Sequence, residues 1–87
     1  MKFQRSRRNW IQGVSGKYSV SAKVFPEPSG YGIQNDVADG HISKIEIKED
    51  GDRVFSYDRQ LNFNYMDSDE LNRILQQVEG FAKTSRR

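Results

Sequence analysis

Alternating apolar and polar residues mark four β-strands in the first two thirds of the chain. The strands form two pairs, one separated by Ser15-Gly16 and the other by Asp50-Gly51. Both dipeptides suit a two-residue turn, and Asp-Gly is a strong hairpin signal. The pattern therefore predicts two β-hairpins, joined by a connection of about 15 residues. The four runs are NWIQGV, KYSVSAKVF, HISKIEIK and RVFSYDR.

The last third of the chain has the periodicity of an amphipathic α-helix. Asp67 suits the N-cap, and Glu70 follows at the spacing of a capping box. These signals predict a helix from near Ser68 to near Lys83, and QLNFNYM before it remains a short extended segment. Apolar residues that would face a core recur along one stripe. They are Leu71, Ile74, Leu75, Val78 and Ala82.

Counting outward from the two turns assigns each strand residue to a face of the sheet, because opposite residues share a face. In the second hairpin this register pairs Ile47 with Val54 and Lys44 with Tyr57. The predicted fold is α+β, a four-stranded antiparallel sheet of two β-hairpins with one C-terminal helix packed on one face. The apolar face predicted to meet the helix holds Ile11, Tyr18, Val20, Ala22, Val24, Ile45, Ile47 and Val54.

The opposite face of the predicted sheet combines aromatic and basic side chains. Basic groups can follow phosphates while aromatic rings stack on bases, so this composition suits single-stranded nucleic acid. Half-buried sheets ordinarily carry polar residues outside, and the aromatic side chains can also form a second small core under the long connection or a dimer contact. Its residues are Trp10, Phe25, Phe55 and Tyr57 with Lys17, Lys23, Lys44, Lys48, Arg53 and Arg59.

Positive charge is concentrated at the two ends of the chain. The net charge is +2, yet residues 1–8 contain four basic and no acidic side chains. We expect a flexible basic tail at residues 1–8, a single α+β domain at 9–83 and a basic C-terminal tail at 84–87. Basic arms of this kind bind phosphates or simply aid solubility.

The connection between the hairpins contains residues that resemble chemical motifs without completing one. Gly30-Tyr31-Gly32 lacks the third glycine and the following helix of a phosphate-binding loop. Read as a calcium loop, the segment places Val37 where a ligand is required and Glu46 inside a strand. His41 is the single candidate for acid-base chemistry, but no nucleophile accompanies it. We therefore expect no enzymatic activity, no catalytic residue, no cofactor and no metal site.

The lack of cysteine and of a long apolar run indicates the cellular compartment of the protein. The chain has no cysteine, which favours a reducing environment, and no apolar run approaches the length of a membrane span. We expect a cytoplasmic protein without membrane contact.

Three stretches of the chain carry a resemblance to known proteins, namely WIQGVSGKYSVSAKVF, YGIQNDVADGHISKIEIK and YDRQLNF. They resemble the motifs of a small uncharacterised family from Gram-positive bacteria, their phages and mobile elements. The resemblance covers most of Trp10 to Val78 and implies an α+β domain of mobile-element origin without a known activity. The order and spacing of GKYSVSAKV, DGHISKIEIK and LNRILQQV also resemble, more weakly, type II anti-CRISPR proteins that have a basic N-terminal tail. This resemblance implies an RNA-guided nuclease as target.

The sequence thus predicts a non-enzymatic binding protein of phage or mobile-element origin that acts on nucleic acid or a nucleoprotein. The alternative is a protein-protein interaction module or homodimer that buries the aromatic face. The predicted binding residues are Arg5, Arg7, Arg8, Trp10, Lys17, Lys23, Lys44, Phe55 and Tyr57.

Overall fold

The computed structural model describes residues 2–84, which form one six-stranded antiparallel sheet and one α-helix. Each strand pairs with the next along the chain, so the sheet is a meander. The sheet therefore has six strands where four were predicted. The elements are β1 (Lys2–Arg7), β2 (Trp10–Ser15), β3 (Tyr18–Val24), β4 (Ile42–Glu49), β5 (Asp52–Asp58), β6 (Leu61–Asn64) and α1 (Ser68–Thr84).

The two additional strands lie at the edges of the sheet. β1 is formed by residues that we expected to be a flexible tail, and β6 by part of the extended segment before the helix. Phe3 explains why β1 pairs, because its ring fills the space above Gly13, where an added Cβ would lie 2.7 Å from Phe3 Cδ1. Of the predicted C-terminal tail, residues 85–87 lie outside the described residues.

The first hairpin turns one residue later than predicted. Gly16 and Lys17 form the turn, with Gly16 at φ 58°, and Ile11 lies opposite Ala22. This displaces the register by two residues, which leaves every side chain on its predicted face because the side-chain period of a strand is two.

The second hairpin contains a β-bulge that the predicted register lacked. Asp50-Gly51 forms the turn as predicted, and Lys48 lies opposite Arg53, but Ile47 lies opposite Phe55. Val54 is thus an extra residue on β5, and a bulge of this kind moves all following side chains to the other face. The placement of Phe55 and Tyr57 on the open face was wrong, because both lie on the helix side.

The hydrophobic core lies between the sheet and α1. Phe55 is 3 % exposed within it, and Tyr57 packs at its border. The connection between the hairpins also contributes, since Ile33 and Ala38 are buried in the same core. It therefore covers the helix side of the sheet. The helical stripe, which is Leu71, Ile74, Leu75, Val78 and Ala82, is buried as predicted.

The helix begins where the sequence predicted. Asp67 Oδ2 accepts hydrogen bonds from the backbone N–H groups of Asp69 at 3.1 Å and Glu70 at 3.4 Å. These bonds satisfy two of the four donors that every helix N-terminus leaves without an intrahelical partner. Among residues 2–84, no helix is both long and apolar enough to cross a membrane.

Candidate nucleic-acid interface

Four predicted binding residues form one row across the open face of the sheet. Arg7 lies opposite Trp10, Trp10 opposite Lys23, and Lys23 opposite Lys44, on strands β1 to β4. Opposite residues of antiparallel strands share a face, so all four side chains project to the side away from α1. We call this set the Trp10 row. Arg8 adjoins it in the exposed β1–β2 turn.

The Trp10 row combines free positive charge with aromatic surface. Within residues 2–84, Arg7 and Lys23 form no salt bridge, whereas Lys44 Nζ lies 3.7 Å from Asp58 Oδ1. Lys23 Nζ also lies 5.7 Å from the ring centroid of Phe25, two residues further along the same face. Among the described residues, the Trp10 row together with Phe25 therefore offers two cations without an acidic partner beside two aromatic rings.

Lys17 lies apart from the Trp10 row, in the turn at the opposite end of β2 and β3. Its Nζ is 3.3 Å from Glu49 Oε2. The hydrogen bond to Glu49 raises the pKa of Lys17, and the negative charge of the carboxylate adds to the effect. Lys17 is therefore charged but already paired, which makes it a weaker phosphate ligand than Lys23.

The remaining predicted residues lie on the helix side. The Arg5 guanidinium carbon is 5.6 Å from the ring centroid of Phe81 on α1. Tyr57 donates a hydrogen bond from its hydroxyl to the carbonyl oxygen of Tyr31, at 3.2 Å. Phe55 is in the core. The open face thus keeps five of the nine predicted residues, namely Arg7, Arg8, Trp10, Lys23 and Lys44.

A shallow groove of about 580 Å³ extends the open face toward the other end of β1 to β4. Sequence reasoning missed it because β1 was taken for a tail, although Lys2 and Gln4 have the spacing of a strand face. Glu46 is the acidic side chain in its lining. The other polar side chains that line it are Lys2, Gln4, Gln12, Ser19, Ser21 and Lys48.

A second polar cluster lies on the helix side, where the connection between the hairpins meets α1. His41 Nδ1 is 2.7 Å from Asp39 Oδ1 and 2.7 Å from Glu79 Oε1. Burial raises the pKa of the Glu79 carboxyl group, and a hydrogen bond with Asp39 adds to this shift. That bond and the Lys83 ammonium hold the pKa of Asp39 well below its usual range. Asp39, His41 and Glu79 are the described residues that could hold a metal ion together.

These features define a small α+β protein whose single sheet packs a helix on one face and leaves the other open. The chain belongs to the family described as Domain of unknown function (DUF7678), whose model matches residues 9–79. No curated protein and no solved structure was found to match the chain. The matched range agrees with the range of the resemblance noted in the sequence, and the whole of β1 precedes it.

Proposed function

We propose that this protein binds single-stranded nucleic acid, alone or within a nucleoprotein, through the open face of its sheet and without catalysing a reaction. The observation that carries the proposal is the Trp10 row, which places two unpaired cations directly beside an indole ring. The proposal does not need Phe55 or Tyr57, whose expected contribution was lost with the corrected register.

The chemistry of the row matches an unpaired base and its phosphates. Neighbouring strands lie about 4.8 Å apart, so Arg7 and Lys23 flank Trp10 on both sides at that spacing. A base stacked on an aromatic ring contributes roughly 1 to 3 kcal/mol, and each phosphate contact releases a condensed counterion. Duplex DNA keeps its bases stacked inside, so a single strand should bind better than a duplex.

The most specific form of the proposal is a protein of a phage or mobile element that inhibits an RNA-guided nuclease. It rests on the resemblance to type II anti-CRISPR proteins and on the basic residues around Arg7 and Arg8. Such a target holds exposed guide RNA in the cytoplasm, where we expect the protein to act. Inhibition of target cleavage by a purified type II nuclease, before and after guide loading, tests this form directly.

Fluorescence anisotropy with labelled single-stranded and duplex oligonucleotides, each at two salt concentrations, tests the general proposal. We expect Trp10→Ala and Lys23→Ala to weaken single-strand binding, and Lys23→Ala to lower the salt slope by about 0.7, the value for one phosphate contact. Lys17→Ala is the matched control and should change little, because Lys17 is paired with Glu49.

Equal affinities for the wild type, Trp10→Ala and Lys23→Ala would contradict the proposal. Absence of binding together with a dimer in light scattering would favour the alternative, in which the open face is a contact between two copies.

A further inference from the structure

We propose that Asp39, His41 and Glu79 bind one divalent transition-metal ion, with Zn²⁺ the best fit, and that this ion fastens the connection between the hairpins to α1. The site lies on the opposite side of the sheet from the Trp10 row, so the inference is independent of the proposed function. It also replaces the expectation, drawn from sequence, of no metal site.

The three donor atoms converge on one point. The Asp39 and Glu79 carboxylate oxygens each lie 2.7 Å from His41 Nδ1, and all three donors lie within 4.8 Å of one another. Tetrahedral Zn²⁺ has Zn–N and Zn–O bonds of about 2.0 to 2.2 Å, which places ligands about 3.4 Å apart. Each 2.7 Å contact must therefore open by about 0.7 Å. The exposed Asp39 side chain can supply this change for its own contact, and the contact between His41 and Glu79 opens by a small rotation of one of these two side chains.

Two of the ligands are buried and face each other before any ion binds. His41 and Glu79 are only 6 % and 2 % exposed. The backbone N–H of His41 donates to Glu79 Oε2 at 3.1 Å, which leaves Oε1 directed at the imidazole. Gly40, at φ 96°, precedes His41, and a side chain at Gly32 would overlap the Gly40 backbone. The loop therefore fixes the position of the histidine.

The two carboxyl groups need a positive partner beyond the single hydrogen of His41 Nδ1, and either a proton on Glu79 or a metal ion supplies it. His41 Nδ1 carries at most one hydrogen, yet two carboxylate oxygens face it at the same distance. One hydrogen shared between two acceptors satisfies each only in part. A dication bonds to all three donors at once, and its charge balances the two carboxylates.

The composition of the site selects the kind of metal. Calcium and magnesium prefer oxygen ligands only, whereas an imidazole with carboxylates suits zinc and its neighbours. Three protein ligands leave the fourth position of a tetrahedral site for a water molecule. Lys83 Nζ lies 3.0 Å from Asp39 Oδ2, the oxygen that does not face His41, and can keep this contact when Oδ1 binds the ion.

Untagged protein treated with a chelator and then titrated with Zn²⁺, with Mg²⁺ as comparison, tests the site. We expect one zinc per chain by elemental analysis and a rise in thermal midpoint with Zn²⁺ that a chelator reverses. Mg²⁺ should produce neither effect. His41 is the only histidine, so its imidazole NMR signals should shift on titration and report on this site alone.

Asp39→Asn is the diagnostic variant, because Asp39 is exposed and the protein should still fold. We expect zinc affinity to fall at least tenfold, while Asp36→Asn, which removes the same charge from the same exposed loop, keeps it. Wild-type protein that binds no zinc, or an Asp39→Asn protein that binds it like the wild type, overturns the proposal. In either case the cluster is held by shared hydrogen bonds alone.

Discussion

Single residues decide which side chains reach each face of this sheet. Val54 is the clearest case, because as an extra residue on β5 it carries Phe55 and Tyr57 to the helix side. The position of a β-bulge cannot be predicted from residue types alone, because it depends on how both strands pack. One residue thus removed two of the four aromatic rings from the predicted binding face.

The corrected register makes a testable prediction about Phe55. Phe55→Ala should lower the free energy of unfolding by about 3 to 5 kcal/mol, because it empties a buried core position. Phe25→Ala is the control, since Phe25 is partly exposed on the open face, and it should cost much less. Urea denaturation of the two variants measures the difference, and equal costs would contradict the bulged register.

The glycines of the connecting loop allow a second prediction. A methyl group at Gly32 meets the Gly40 backbone, whereas nothing lies within 4 Å of one at Gly30. Gly32→Ala should therefore lower the thermal midpoint by several degrees or prevent folding, and Gly30→Ala should remain close to the wild type. Similar melting curves for both variants would show that the loop is packed differently.

At the scale of elements, the N-cap of α1 connects a sequence signal to stability. Asp67→Ala removes the acceptor for two backbone N–H groups and should cost about 1 kcal/mol in chemical denaturation. Ser68→Ala, at the next and exposed position, should cost less than half of that. If the two substitutions cost the same, Asp67 does not act as the cap.

β1 contributes to the stability of the fold as well as to the positive charge of the open face. Phe3 packs against Phe81, with ring centroids 5.4 Å apart, and covers Gly13. Deleting residues 1–8 should therefore reduce both nucleic-acid binding and thermal stability. Arg7→Ala with Arg8→Ala should reduce binding alone, because both side chains are exposed. A truncated protein that melts like the wild type would show that β1 contributes little to the fold.

At the scale of the whole molecule, the sheet separates two surfaces with different chemistry. The helix side holds the core and the cluster of Asp39, His41 and Glu79, while the other side carries the Trp10 row. Changes at this cluster should therefore leave oligonucleotide binding intact. Anisotropy measurements on Asp39→Asn check this, and a marked loss of affinity would indicate coupling through β4.

The sequence by itself determined the helix, its cap, the two hairpins and the apolar face of β2 to β4, because these depend on local periodicity and turn chemistry. Only the tertiary structure decided that β1 and β6 are strands, that β5 has a bulge at Val54 and that His41 contacts Glu79. The alternation of apolar and polar residues is weak in the two edge strands. These strands form because a neighbouring strand offers free backbone hydrogen-bonding groups. A contact between residues 38 positions apart produces no periodic pattern in the sequence, because packing elsewhere in the fold brings the two residues together.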